Sequence, residues 1–258
     1  MHVRLRLDEA VAAQAGVTRS RARALIMAGR VRLDGRPVTK PGMTVAPQAA
    51  LEVARPRPYV SRGGEKLEAA LAAFGVDVEG RTALDVGAST GGFTDCLLKH
   101  GAASVTAVDV GYGQLAHEIR TDPRVRVIER CNFRLVKGDA FAREFDVITI
   151  DASFISVTTI LARALLFLRD GGCVVALVKP QFEAGKERIA SGGVVRDAGV
   201  HRAILRETAA RIEALGAVAV AVFRSPLVGP AGNVEFFLLV RGAGTPFDEA
   251  AIEAALAA

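Results

Sequence analysis

The chain has 258 residues, 50% of them hydrophobic, and carries a net charge of +5. That is enough apolar material for a sizeable core or two domains, and it excludes global disorder. No apolar run reaches the ~20 residues of a membrane helix, residues 1–8 have no signal-peptide core, and the scattered Cys96, Cys131 and Cys173 fit reduced thiols in a cytosol, so a cytoplasmic protein without a membrane span is expected.

Residues 1–58 hold eleven Lys/Arg against four Asp/Glu, a net of +7, while the remaining 200 residues sum to −2. A small basic segment joined to a near-neutral larger one suggests a polyanion grip separate from a catalytic body, with a solvated charged face as the alternative reading of the charge alone. Within it, Arg19-Ser-Arg-Ala-Arg-Ala-Leu-Ile-Met-Ala-Gly-Arg30 reads as one helix. Ala22, Leu25 and Ile26 recur at helical spacing, Thr18 stands as N-cap and Gly29 as the stop. Arg19, Arg21 and Arg23 crowd the first turns, where the helix dipole disfavours cations, so an external anion is expected beside them. Strand pieces follow at 31–33 and 37–38 around the turn Asp34-Gly-Arg, with Val45 and Leu51-Glu-Val53 as further strands. The run Ser20-Arg-Ala-Arg-Ala-Leu-Ile-Met-Ala-Gly-Arg-Val-Arg-Leu-Asp-Gly35, with Val38-Thr-Lys-Pro41, resembles the alpha-L type RNA-binding module. That resemblance covers residues 1–55 and implies cation contacts to RNA phosphates. The candidates are Arg19, Arg21, Arg23, Arg30 and Lys40, with Arg62 just beyond the module.

Arg55-Pro-Arg-Pro58 reads as part of a linker over 56–60, because alternating prolines favour extended backbone. Ser61 then caps a helix running to about Phe74. The body, 61–258, alternates strand-like runs (83–86, 105–110, 125–129, 147–151, 174–179, 218–223 and 236–241) with helical ones such as 200–215. Alternation of this kind predicts an α/β fold with a mostly parallel seven-stranded sheet. The last two strands flank a Pro/Gly-rich loop, 226–232, too short for a crossover, so they are expected to pair as an antiparallel hairpin. Thr245-Pro-Phe-Asp-Glu starts a terminal helix with Pro246 at its first position.

The segment Asp85-Val-Gly-Ala-Ser-Thr-Gly-Gly-Phe-Thr94 follows the first of these strands and opens a helix. That layout suits a nucleotide-cofactor site: glycines let the backbone approach a ligand, and the helix offers free N–H groups. Ser89 stands where the dinucleotide fingerprint needs glycine. The loop instead resembles the S-adenosylmethionine loop of methyltransferases, with Asp85, Gly87, Ser89, Gly91, Gly92 and Phe93 as its candidate residues. Asp109, ending the next apolar run, is placed to accept hydrogen bonds from ribose hydroxyls. The competing reading is a tight strand–helix turn beside a solvated acid.

Three further charged residues sit at strand ends. Asp151 ends the fourth strand, Lys179 ends the fifth and Glu235 begins the seventh. Ligands bind beyond the carboxyl ends of parallel strands, and an antiparallel last strand starts at that same edge. Each is also an ordinary way for a strand to leave a core.

These residues fall into the pattern of the FtsJ-like ribose 2′-O-methyltransferases, whose Lys-Asp-Lys-Glu tetrad is matched by Lys66, Asp151, Lys179 and Glu235. Nearly the whole chain resembles the TlyA group of that family, in Ser61-Arg-Gly-Gly-Glu-Lys-Leu67, Asp109-Val-Gly-Tyr-Gly-Gln-Leu-Ala116, Asp151-Ala-Ser-Phe-Ile-Ser156, Val178-Lys-Pro-Gln-Phe-Glu183, Gly192-Gly-Val-Val-Arg-Asp197 and Gly229-Pro-Ala-Gly-Asn-Val-Glu-Phe236. The resemblance implies a Rossmann-like methyltransferase domain behind the alpha-L module. It also implies S-adenosylmethionine as cofactor, ribosomal RNA or ribosomal subunits as partner, and methylation of cytidine ribose 2′-hydroxyls. On it, Lys179 is the candidate base, made neutral by a neighbouring Lys66 and partial burial, or else it only steers the hydroxyl lone pair while water takes the proton. Asp151 orients Lys179 and the nucleophile, and Glu235 holds Lys66 or the ribose. Asn132 is the candidate adenine contact, with Asp139 as rival. The segment 183–197 is a candidate gate over the substrate, or a surface loop.

Other functions are disfavoured by particular residues. A base-carbon methyltransferase needs a cysteine after proline, and none occurs. An amino-directed enzyme carries Asn/Asp-Pro-Pro-Tyr where this chain has Asp151-Ala-Ser-Phe154. Four scattered histidines form no metal cluster. A non-catalytic RNA-binding or ribosome assembly factor stays open. Some relatives are labelled haemolysins, but no long apolar or strongly amphipathic exposed segment for a pore former is present.

Overall fold

The computed structural model describes residues 5–54, 58–141, 144–185 and 193–258. The expected linker therefore lies partly outside the described residues, as do residues 1–4 and part of the 183–197 segment. The chain divides into two compact units, Met1–Pro56 and Arg57–Ala258.

In the first unit, β1 (Leu5–Arg6), α1 (Leu7–Ala15), α2 (Arg19–Met27), β2 (Val31–Leu33), β3 (Arg36–Val38), β4 (Thr44–Val45) and β5 (Leu51–Val53) follow in order. β2 pairs antiparallel with both β3 and β5, and β1 pairs with β4. Asp34 and Gly35 turn the β2–β3 hairpin with φ of 50° and 76°, the left-handed pair that matches strand twist. Thr18 caps α2 by accepting from the Arg21 N–H. Helix α1 has no counterpart in the expected elements. Its Leu7 and Val11 close with Ala22, Leu25, Ile26, Val31 and Val45 into a small core.

The second unit contains α3 (Arg62–Phe74), β6 (Thr82–Val86), α4 (Gly92–Lys99), β7 (Ser104–Val108), α5 (His117–Arg120), β8 (Val125–Ile128), β9 (Phe145–Ile150), α6 (Val157–Ala164), β10 (Leu168–Val178), α7 (Pro180–Glu183), α8 (Ala198–Ala214), β11 (Val218–Arg224), β12 (Phe236–Arg241) and α9 (Glu249–Ala257). Seven strands form one sheet in the order β11-β12-β10-β9-β6-β7-β8. The run β10-β9-β6-β7-β8 is parallel throughout, and β12 is antiparallel to both its neighbours. Both faces are covered, which is why the central strands read as unbroken apolar runs. Alternate residues go to opposite sides: Val174, Ala176, Val178 and Phe236 join the core under α6, α8 and α9, while Val175, Leu177 and Phe237 join the core under α3 and α4.

The boundaries of β10 and α9 differ from expectation for identifiable reasons. β10 begins at Leu168 rather than 174, through a register shift between Leu168 and Cys173 that the glycines at 171 and 172 hide from any apolar pattern. Helix α9 begins at Glu249, because Asp248 Oδ1 accepts the Ala251 N–H at 2.9 Å and serves as the cap; Pro246 stays outside the helix.

Candidate active site

The loop after β6 is shaped by its neighbours. Gly87 has φ 88°, and a Cβ there would lie 2.5 Å from the carbonyl oxygen of Asp151, so the loop rests directly on the end of β9. Ser89 takes φ 48°, the left-handed conformation that the dinucleotide fingerprint reserves for glycine, and its N–H donates to Asp109 Oδ2 at 2.7 Å. Asp109 Oδ1 accepts the Gly111 N–H at 2.6 Å. Gly91 stands before the first turn of α4. At Gly92 a Cβ would meet Ser61 Oγ at 2.1 Å, so the start of α3 packs directly on the start of α4.

A cavity of about 500 Å³ opens over this loop, lined by Gly87, Ser89, Asp109, Cys131 and Asn132 among others. Asn132 is held by its own turn, its Oδ1 accepting from the Arg134 N–H. Asp139 is exposed and does not line the cavity, whereas Asn132 does. Phe133 is buried and packs edge-on to Phe167.

A second cavity of about 380 Å³ shares Gly87, Ser89, Asp151 and Ser153 with the first and also takes in Lys66, Lys179 and Glu235. The topology explains the meeting. β9 and β10 are parallel neighbours, so Asp151 and Lys179, each one residue past its strand, emerge side by side. β12 runs the other way, so Glu235, one residue before it, stands at that same edge. Helix α3, capped by Ser61 Oγ accepting the Gly63 N–H, carries Lys66 in from above.

Lys66 is 7% exposed and Glu235 1%, and the Lys66 ammonium hydrogen-bonds Glu235 Oε2. A buried pair of this kind is costly to break, about 3–5 kcal/mol when one partner is removed. Lys179 Nζ lies 2.6 Å from Asp151 Oδ1 and donates to Ser153 Oγ at 2.8 Å. The Asp151 contact is an ion pair without hydrogen-bond geometry, so the buried Oδ1 has no hydrogen-bond donor among the described residues. A buried acceptor left in that state favours a donor from a bound ligand.

Asp85 requires a correction. It lines neither cavity and is fully buried, its carboxylate accepting from Thr94 Oγ1 at 2.7 Å and Thr149 Oγ1 at 2.9 Å. It braces the loop from beneath rather than facing a cofactor. Burial pushes its carboxyl up to about 6 against the two threonine hydrogen bonds. The stabilisation of the folded chain by the neutral acid is complete below the ordinary carboxyl range near pH 4 and is lost as pH rises through about 6, a change on the order of 3 kcal/mol. In paired denaturant titrations, Asp85→Asn should gain on the parent by that amount between about pH 4 and pH 7; a pH-independent difference would show that the carboxyl ionises normally.

The cationic candidates separate. Arg21, Arg23 and Lys40 are exposed and Arg30 is half-buried. Arg19 does not need an external anion: it pairs with Asp8 at 3.2 Å and Glu9 at 3.0 Å on α1. Asp8 is held down at about 2, first by its hydrogen bond from Arg6. Arg62 belongs to the second unit and lines the Lys66 cavity. Residues 186–192 of the candidate gate lie outside the described residues. The described ends are anchored: Glu183 accepts from Ser156 Oγ and the Val157 N–H, and Asn233 bonds Val195 and Gly193.

Two side chains escaped the sequence reading. Ser153 bonds Lys179. Phe154 is 89% exposed with φ 64°, lies 4.9 Å from the Phe182 ring and lines the cofactor-side cavity. An open aromatic face in that position suits stacking on a nucleobase. The signal for both was their place in the Asp151-Ala-Ser-Phe-Ile-Ser156 motif, which assigned them no role of their own.

Comparison with known proteins gives a consistent result. The family profile of FtsJ-like methyltransferases matches residues 59–241 and that of the S4 domain matches residues 5–51. The chain is 48% identical to the Mycobacterium tuberculosis protein named 16S/23S rRNA (cytidine-2′-O)-methyltransferase TlyA, over 88% of this chain and 86% of that one. It is 43% identical to Hemolysin A of Brachyspira hyodysenteriae, over 90% and 98% of the two chains. A solved structure from Streptococcus thermophilus, described provisionally as a hemolysin, superposes with a TM-score of 0.75 at 40% identity, covering 98% of this chain and 94% of that one.

Proposed function

The chain belongs to the FtsJ-like methyltransferase family, in its TlyA group, and we propose that it methylates the ribose 2′-hydroxyl of cytidines in ribosomal RNA with S-adenosylmethionine as donor. The observation that carries this reading is the convergence of Lys66, Asp151, Lys179 and Glu235 on a cavity contiguous with the glycine loop. The cavity over the glycine loop, with Asp109 and Asn132 on its wall and room for a nucleoside, fits the cofactor. Gly87, Ser89, Asp109 and Asn132 would hold it, and when bound it supplies an activated methyl on a sulfonium.

The protein's own work is alignment and proton removal. As the free amine Lys179 would take the 2′-hydroxyl proton; as the ammonium paired with Asp151 it would turn the oxygen lone pair toward the methyl while water takes the proton. Asp151 holds Lys179 by charge and offers Oδ1 to the hydroxyl. The Lys66–Glu235 pair forms the far wall and fixes the ribose. Much of the rate comes from this positioning.

The basic module supplies the grip on RNA. Replacing Arg21 and Arg23 together with glutamine should weaken binding to ribosomal RNA and lessen the salt slope by roughly one to two; an unchanged slope would remove α2 from the contact. Transfer of labelled methyl to each purified ribosomal subunit, followed by nuclease mapping, tests the reaction. The expected product is 2′-O-methylcytidine. No transfer with cofactor binding intact by calorimetry would favour an RNA-binding or assembly role. No cofactor binding would overturn the loop assignment. A membrane-lytic reading draws no support from the described residues, where no helix is long and apolar enough to cross a membrane.

A further inference from the structure

We propose that Ser153 is a positioning residue for Lys179, fixing the direction of its nitrogen toward the reacting hydroxyl. The inference rests on the methyltransferase reading above. Lysine is a point charge on a flexible four-carbon stem, and an ion pair restrains distance but not direction. Here the Asp151 contact is of that kind, 2.6 Å long without hydrogen-bond geometry. The directional bond is the one from Nζ to Ser153 Oγ, 2.8 Å. Lys179 and Ser153 line the same cavity as Lys66 and Glu235, so the bond to Ser153 fixes the nitrogen at the wall of that cavity.

Ser153 is exposed, but the residues on either side of it are held in place. The Asp151 N–H donates to the Val86 carbonyl at 2.9 Å, and the Asp151 carbonyl abuts Gly87. On the other side the left-handed Phe154 seats its ring against Phe182, three residues past Lys179. These neighbours fix the backbone from which the hydroxyl reaches Lys179. Because Ser153 lines both cavities, a role as a cofactor ligand is the rival reading.

The test is single-turnover transfer of labelled methyl from S-adenosylmethionine to purified ribosomal subunits by the full chain, with cofactor affinity measured alongside. Ser153→Ala should slow transfer roughly 10- to 100-fold, as misplacement of a reacting group does, with cofactor affinity within about twofold of the parent. Ser153→Thr, which keeps the hydroxyl, should recover most of the rate. In a Lys179→Met background, Ser153→Ala should cost nothing further, because the two side chains act as one unit. Ser153→Ala at the parental rate, with Lys179→Met inactive, would overturn the role of Ser153 alone. A loss of cofactor affinity as large as the loss of rate would overturn it in favour of the cofactor-ligand reading. An equal further loss in the Lys179→Met background would show that Ser153 acts independently of the lysine. Lys179→Met at the parental rate would remove the reading of Lys179 and this inference together.

Discussion

Lys179→Met should lower methyl transfer by about 10²- to 10⁴-fold, the range for loss of a positioned proton acceptor, while leaving cofactor affinity and fold nearly intact. Methionine keeps the length of the stem and removes the charge and the donor to Ser153. The substitution does less collateral harm than one at Lys66. Lys66 and Glu235 are both nearly inaccessible, so removing either leaves a buried charge. Asp151, by contrast, keeps 25% of its side chain exposed, and water can solvate what the lysine vacates. Thermal melting, cofactor calorimetry and single-turnover transfer on the same preparation separate the effects. Turnover close to the parent with Lys179→Met would leave the tetrad without its central member.

The second large effect is expected at Gly87. Gly87→Ala would place a methyl 2.5 Å from the Asp151 carbonyl oxygen, which is backbone, and would hold alanine at φ 88°. The conformational strain alone is worth about 1–2 kcal/mol, and the clash adds overpacking of about 1–3 kcal/mol. A matched control exists in the same chain. Gly232 also has φ 88°, but a Cβ there meets nothing within 4 Å, so Gly232→Ala should carry the strain without the collision. The difference in melting stability between the two variants isolates the contact between the loop and β9. Gly87→Ala should in addition weaken cofactor binding at least tenfold, since separating the loop from Asp151 displaces the cavity floor by part of an ångström. Equal stability losses in the two variants, with cofactor affinity preserved, would mean that the close approach is not maintained in solution.

The parts of this fold legible in the sequence are those governed by local rules. Ser61 before a helical pattern, Asp34-Gly in a hairpin and the alternating strand runs each carry their own signal, and each recurs in the structure. The family S4 and FtsJ-like assignments follow the same motifs. The illegible parts depend on partners distant in the chain. The acids of α1 neutralise Arg19 across a helix pair, which no property of α2 alone discloses. Asp85 looks like a ligand-facing residue by position, yet Thr149, 64 residues away, draws it inward. Ser153 and Phe154 lie in a family motif that does not disclose their roles; a strand end, a left-handed residue and the ring of Phe182 decide where they point. Strand β10 starts early because Leu168 pairs with Phe145 of β9 across glycines with no strand propensity.

The insertion of β12 between β10 and β11 has a consequence for biosynthesis. A ribosome delivers the chain from its first residue onward, and β10 emerges well before residues 236–241 do. Until they arrive, one edge of β10 presents unpaired backbone groups, a template for pairing with other chains. Glu235 arrives only with that last strand, so the buried pair with Lys66 closes late in synthesis. Premature stops between β10 and β12 should therefore yield sticky fragments with that edge open.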